Sequence, residues 1–464
     1  MTRVNSLIRR QRLLVLRSQR LPDPGIDWRR VIARLAQRSG NVVRKLCAIT
    51  ATALLLGSAA EIGAQANTAS SLFERGKQAV YQIRVIDVGS GDKYSIGSGF
   101  QVSADGLIGT NFHVVSAFVH EPEKYRLEYV RQDGEVHPVA LLLTDVVHDL
   151  ALLRTDYPSA TYLELASDEL GKGDRIYSMG NPLDLGMSII EGTYNGLVEN
   201  SRYRKILFSG SLNAGMSGGP ALDSAGKVMG INVSKGEEQM SFLVPVAHLR
   251  ALLAEYATGS VVRDHGERIR NALLADQDAF YRSLVSQAPK LKTMGALSIP
   301  DRLAESLRCW GHSVDEEDKD KKYNAAHQHC KAEDNIFVTP KLYIGDFQYD
   351  FELINTEELN RFQFYSLLQE QFSHQSFANT NDKEQVDKFA CEDDLVRIND
   401  RRWKVSTCMR AYKEFSGLFD ASMTMVSMDF ADRAAVVTIS ASGISAENAV
   451  AVFRYIAEAV TWKE

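Results

Sequence analysis

The segment Asn213-Ala214-Gly215-Met216-Ser217-Gly218-Gly219-Pro220 sets one serine among three glycines and a proline. Glycines flanking a serine permit a tight, partly left-handed backbone that turns successive N–H groups to one side, the arrangement an anion or a developing oxyanion requires. Gly215 to Gly219 also fits G-x-S-x-G, the strand-to-helix elbow of an α/β-hydrolase sheet. Such an elbow must run directly into a helix. Gly218-Gly219-Pro220 is poor helix material, and Val228-Met229-Gly230-Ile231-Asn232-Val233 then reads as a strand. The histidine and aspartate best placed to assist the serine precede it in the chain, which is also the wrong order for a hydrolase.

Outward from this segment, residues 79–252 read as short alternating strands between Gly and Asp turns, for example Tyr81-Gln82-Ile83-Arg84-Val85 and Arg126-Leu127-Glu128-Tyr129-Val130. Helical periodicity is nearly absent, so the expectation is an all-β sandwich or barrel with its chemistry on loops. Nucleophilic attack by a serine needs an imidazole to take its proton, a carboxylate to hold that imidazole, and N–H donors for the oxyanion. His113, in Gly109-Thr110-Asn111-Phe112-His113-Val114-Val115, stands at the expected end of a strand. His120, His137 and His148 lack such a frame and read as surface or loop residues. Asp149, at the edge of the apolar run Leu150-Ala151-Leu152-Leu153, is the candidate orienting acid, with Asp145 as its rival. Gly215 and Ser217 would supply the oxyanion donors.

These segments resemble the protease domain of the HtrA/Deg family, within the trypsin-like superfamily. Thr110-Asn111-Phe112-His113-Val114-Val115 is similar to the family's histidine segment, Asp149-Leu150-Ala151 to its aspartate segment, and Gly215-Met216-Ser217-Gly218-Gly219-Pro220 to its serine segment. Gly180-Asn181-Pro182-Leu183-Asp184-Leu185-Gly186, Gly230-Ile231-Asn232 and Phe242-Leu243-Val244-Pro245 match further stretches in the same order. The resemblance covers residues 75–255. It implies a chymotrypsin-like double β-barrel with the catalytic groups His113, Asp149 and Ser217 in the cleft, and hydrolysis of polypeptide substrates through an acyl-enzyme without metal or other cofactor. It places Ser211 near the base of the primary substrate pocket. No acid stands there, which disfavours cleavage after Lys or Arg and points to a small or medium apolar side chain. Met216 departs from the family's usual Asn, a change expected to bear on substrate contacts, and no PDZ domain is recognisable after the protease region.

The charge distribution agrees with export. Residues 1–66 hold twelve Lys and Arg against three acids, so the remainder of a chain whose formal charge is −6 carries −15. An acidic body argues against a nucleic-acid groove. Arg44 and Lys45 precede an apolar run from Leu46 to Ala60, and small residues follow to Ala64-Gln65-Ala66, the order of a secretory signal cleaved after Ala66. The run is too short for a stable membrane span. The residues before Arg44 form an unusually long basic leader, which points to a start near Val42 or Val43. A periplasmic or secreted location suits the four remaining cysteines, with Cys309 pairing Cys330 and Cys391 pairing Cys408 across short loops.

The expected organisation is a signal segment over 1–66, a protease domain over 67–258, a helical connector over 259–298 and an α+β domain over 299–464, its helices near 357–371 and 445–461. Asp315 to Lys322 reads as a solvated charged run. Cys309-Trp310-Gly311-His312 with His327-Gln328-His329-Cys330 could ligate zinc, but a disulfide is the stronger reading in an exported chain. Tyr343, Phe347, Tyr349 and Phe351 alternate as one buried sheet face would. Two further expectations concern this second domain. It could act as the binding part of a dormant protease fold, or it could cover the cleft and keep the enzyme latent.

Overall fold

The computed structural model describes residues 68–464 apart from 168–169, 236–239, 315–321, 333, 374–382 and 464. The basic leader, the signal segment with Ala66, and nearly all of the charged run from Asp315 lie outside the described residues.

Strands β1 (Val80–Asp87), β2 (Lys93–Gln101), β3 (Leu107–Thr110), β4 (Tyr125–Val130), β5 (Val136–Pro138), β6 (Ala140–Asp145) and β7 (Leu150–Arg154) form one antiparallel sheet in the order β5-β4-β1-β2-β3-β7-β6. The two expected strands at 81–85 and 126–130 are neighbours in it, with Ile83 opposite Tyr129. β8 (Arg175–Gly180), β9 (Ser188–Leu197), β10 (Ile206–Phe208), β11 (Pro220–Leu222), β12 (Val228–Lys235) and β13 (Ser241–Pro245) close into a six-stranded barrel. Of the two expected barrels, the second is therefore closed by hydrogen bonds and the first is an open half-barrel. Helix α1 (Phe112–His120) packs Val114 and Val115 into the half-barrel core with Tyr81, Ile83 and Tyr129. α2 (Val246–Ala257) buries Leu249 and Leu252 against Phe100 and Val228 and so joins the two halves.

The long helix α3 (His265–Val285) begins at Asp264, whose carboxylate accepts from Glu267 N–H as an N-cap, and is stopped before the strands β14 (Leu291–Met294) and β15 (Leu297–Pro300). The connector is thus helical only to Val285, and β15 pairs with the terminal strand β25 (Thr461–Trp462). The second large sheet comprises β16 (Leu307–Val314), β17 (Asn324–Ala332), β20 (Phe347–Asn355), β21 (Ala390–Ile398), β22 (Arg401–Ala411), β23 (Phe419–Ser427) and β24 (Arg433–Ile444), ordered β16-β17-β20-β24-β23-β22-β21. A separate hairpin, β18 (Ile336–Thr339) and β19 (Leu342–Ile344), precedes β20. α5 (Ala446–Ala459) and the end of α3 cover one sheet face, where Phe347, Tyr349, Phe351 and Leu353 meet Tyr281, Leu284, Val452 and Phe453. α4 (Arg361–Ser373) packs Phe364 and Leu368 on Ile354 and Val436 of the other face.

The two disulfides join directly opposed cross-strand partners, Cys309 with Cys330 on β16 and β17 and Cys391 with Cys408 on β21 and β22, each with Cα atoms 4.1 Å apart. The thiols a zinc site would need are consumed, and among the described residues no group of three or more His, Cys, Asp or Glu could hold a metal ion. Residues 68–464 form one compact unit, because α3 buries Ile269 and Leu273 with Phe112 and Val146 of the half-barrel while its far end lies in the second core.

Candidate active site

β3 ends at Thr110, and the chain turns at Asn111 into α1, so His113 lies in the first turn of a helix rather than at the tip of a strand. Asn111 makes no side-chain cap to this helix. Its amide instead donates to the Asp149 carbonyl at 2.8 Å. The Asp149 carboxylate supplies the missing cap from the turn between β6 and β7: Oδ1 accepts from His113 N–H at 2.8 Å, and Oδ2 lies 2.7 Å from His113 Nδ1. An ionised carboxylate only accepts, so Nδ1 carries the proton and Nε2 is left as the basic nitrogen. Asp149 holds this position with φ at 56°, a left-handed conformation that Asp tolerates better than most residues, at the turn from β6 into β7.

Burial works against a charged His113 imidazole. The charge and hydrogen bond of Asp149 outweigh that burial and the opposing Lys205 ammonium, and the pKa stands above the ordinary histidine value. Asp145, the rival acid, is committed elsewhere: its carboxylate takes His148 Nδ1 at 2.7 Å and His148 N–H at 3.1 Å. Burial opposes its ionisation, but these His148 interactions hold its pKa below the usual carboxylate range. His148 in turn stacks on His248 at 3.7 Å, and burial together with His148 pushes His248 down to about 4. Of the other histidines, His137 stacks on Tyr157 at the half-barrel edge, while His120 is not a free surface group: it bonds the Val338 carbonyl from the end of α1.

The serine loop runs from Asn213 to Gly219 between β10 and β11. Gly215 and Gly218 have φ of 91° and 85°, and a Cβ there would lie 2.4 Å from the Asn181 carbonyl and 2.1 Å from the Ser98 carbonyl. No other residue could occupy either position. Met216, where a substrate contact was expected to change, is fully buried in the barrel core with Phe208 and Leu243 and lines no substrate surface.

Ser98 ties the loop to the half-barrel. Its N–H donates to the Ser217 carbonyl and its hydroxyl to the Gly215 carbonyl, both at 2.7 Å. The Ala214 carbonyl accepts from Leu183 N–H at 2.8 Å and the Met216 carbonyl from Gly219 N–H at 3.0 Å. In a trans peptide the N–H points opposite the carbonyl, so these two bonds turn the Gly215 N–H away from Leu183 and the Ser217 N–H away from Gly219. Neither N–H has an acceptor among the described residues. The Ser217 hydroxyl donates to the Val233 carbonyl at 2.8 Å rather than to His113. Ser211 lies exposed on the turn leading into the loop.

Sequence reading found the histidine, acid and serine segments but passed over Ser98, whose only signal was a small residue between Gly97 and Gly99. It also passed over Phe337 of β18, whose ring stands 5.8 Å from the His113 ring, edge to face. Nothing near Phe337 in the sequence marks it.

Residues 97–231 match the family described as the trypsin-like peptidase domain. The chain is 32% identical over 169 residues to Serine protease HTRA1 of Xenopus laevis, covering 34% of this chain and 36% of that protein. It is 31% identical over 169 residues to the mitochondrial Serine protease HTRA2 of Bos taurus, again covering 34% and 36%. The chain thus spans about a third of the length of the curated relatives it matches. Among solved structures, the serine endoprotease from Yersinia pestis is 25% identical with a TM-score of 0.36, covering 40% of this chain and 65% of that one. The barrel pair and its loops are a trypsin-like peptidase domain that resembles the HtrA serine proteases.

Proposed function

We propose that this chain is a serine endopeptidase acting on polypeptides outside the cytoplasm, with His113, Asp149 and Ser217 as its catalytic groups. One observation carries the proposal: a single carboxylate grips both the N–H and Nδ1 of His113, beside a serine loop with two unengaged N–H groups. In the reaction, rotation of the Ser217 side chain releases its hydroxyl from Val233. Oγ attacks the substrate carbonyl carbon as its proton passes to His113 Nε2. The Gly215 and Ser217 N–H groups take the charge that gathers on the carbonyl oxygen, and one such donor is worth roughly 3 kcal/mol of transition-state stabilisation. The C–N bond then breaks, Nε2–H protonates the leaving amine, and water, deprotonated by the same nitrogen, hydrolyses the acyl-enzyme.

The exposed Ser211, with no acid beside it in the loop, supports preference for an apolar rather than a basic residue at the primary pocket. The two disulfides support an oxidising compartment, periplasmic or secreted. The Val233 bond is the one feature that favours the alternative of a dormant binding protein. A fluorophosphonate probe separates the two. The wild-type chain should be labelled and should cleave casein, and Ser217→Ala should do neither; an unlabelled wild type, or equal activity in the variant, would refute the assignment.

A further inference from the structure

The hairpin β18–β19 is contributed by the C-terminal half of the chain, yet it is seated against the helix that carries His113. Its residues alternate as strand residues must. Ile336, Val338, Leu342 and Ile344 face inward, buried in one cluster with Phe112 and Tyr203 of the protease region and with Leu273 of α3. Polar anchors hold the same position: the Val338 carbonyl bonds His120 Nε2 at 3.2 Å, and the Asp334 carboxylate accepts from Arg202 N–H at 2.7 Å. Gly345 N–H, at the end of the hairpin, donates to the Ser442 carbonyl at 3.1 Å and fastens it to the C-terminal sheet.

With that face buried, the opposite face presents two rings. Phe337 and Tyr343 are directly opposed partners across the hairpin, and their rings meet edge to face at 5.4 Å. Phe337 is half-buried and reaches the His113 ring, while Tyr343 is 38% exposed. The described residues do not cover the serine loop, since Asn213 and Ala214 are exposed and Ser217 is partly so. Among the described residues the hairpin therefore stands beside His113 and leaves Asn213 and Ala214 exposed.

His113 must hand its proton to the amine that departs, so the substrate residue following the scissile bond has to pass beside the imidazole. Phe337, edge to face with that imidazole, and Tyr343, which packs on Phe337 and is partly exposed, border the same space. We infer that Phe337 and Tyr343 form the wall of a subsite for an apolar side chain on the first residue after the scissile bond, so that the C-terminal half of the chain helps set specificity. The inference rests on the peptidase reading above.

The test uses the full mature chain and paired internally quenched peptides that are identical except for Leu or Gly immediately after the cleaved bond. Active enzyme is counted by fluorophosphonate labelling, whose fluoride leaving group places no residue in the subsite, so loss of folded protein does not enter the comparison. The wild type should prefer Leu, and Phe337→Ala and Tyr343→Ala should each lower the Leu-to-Gly ratio of kcat/KM, by about 10-fold for Phe337. Tyr343→Ala changes an exposed ring and keeps the test decisive if Phe337→Ala folds poorly. An unchanged ratio in both variants, or equal losses on both peptides, overturns the inference. A wild-type chain that neither labels nor cleaves removes the peptidase reading, and the subsite with it.

Discussion

Asp149→Asn isolates what the carboxylate does for His113. In the native site Oδ1 receives the backbone N–H of His113 at 2.8 Å and Oδ2 receives Nδ1–H at 2.7 Å. An amide has one accepting oxygen. If it keeps the helix N–H, its NH₂ faces Nδ1 and selects the imidazole tautomer with hydrogen on Nε2, which cannot take the serine proton. For a triad the loss on this change is about 10⁴ in kcat, or about 5 kcal/mol. The pH profile should move as well. The charge and hydrogen bond of Asp149 hold the His113 pKa up against burial and Lys205, so their removal leaves the lowering influences unopposed. The acid limb of kcat/KM, which reports protonation of the free imidazole, should shift to lower pH, and the His113 resonance in an NMR titration should shift with it. Folding should suffer little by comparison, because the amide oxygen can keep the helix cap and even its full loss costs about 1 kcal/mol. Activity within 10-fold of wild type, or an acid limb that does not move, would refute the role assigned to this carboxylate.

Other consequences are open to simpler assays. Glu352, on the polar face of β20, is pushed up to about 7 by burial and by Asp350. It binds its proton more tightly folded than unfolded, so it weakens the fold as pH rises from about 4.5 through 7. Glu352→Gln should therefore raise Tm more at pH 8 than at pH 5, and an equal shift at both would contradict the burial argument. The Cys309–Cys330 bridge spans a sequence separation of 21 and should contribute about 3 kcal/mol. A Cys309→Ala, Cys330→Ala double variant should lower the denaturation midpoint accordingly, and an unchanged midpoint would show that β16 and β17 are held by their ladder alone.

What was legible in the sequence is what backbone geometry and local spacing dictate. Glycines at 215 and 218 are forced by positive φ and by carbonyls within 2.4 Å of an added Cβ, so they mark the serine loop directly. The alternation Phe347-Tyr349-Phe351 likewise declared a core face. Less was readable where tertiary partners decide. His113 was expected at a strand end, yet Val114 and Val115, good strand formers by themselves, pack into the half-barrel from a helix capped by a carboxylate 36 residues away. Strand β21, Ala-Cys-Glu-Asp-Asp-Leu-Val-Arg-Ile, is an edge strand with its first six residues exposed and only Val396 and Ile398 turned to the core, too short an apolar pattern to mark it. Tyr343 was grouped with the core aromatics by spacing, but it stands on a different hairpin and faces outward.

The same tertiary dependence bears on whether the protease region can stand alone. A boundary after residue 258 follows the β-rich run, but it cuts through a shared core. Phe112, Val146 and Tyr203 are buried by Ile269 and Leu273 of α3 and by Ile336 and Val338 of the hairpin. Uncovering such side chains costs about 1.5–3 kcal/mol each when fully exposed. Three of them approach the whole margin of a typical domain, about 5–15 kcal/mol. Phe112 is also the first residue of the helix that carries His113, so the loss falls on the element that positions the imidazole. A chain of residues 67–258 should therefore aggregate or label far more slowly with a fluorophosphonate than residues 67–464. Sedimentation of the short form as a folded monomer with the full labelling rate would show that the shared core is dispensable, and that α3 and the hairpin dock on a barrel pair already complete without them.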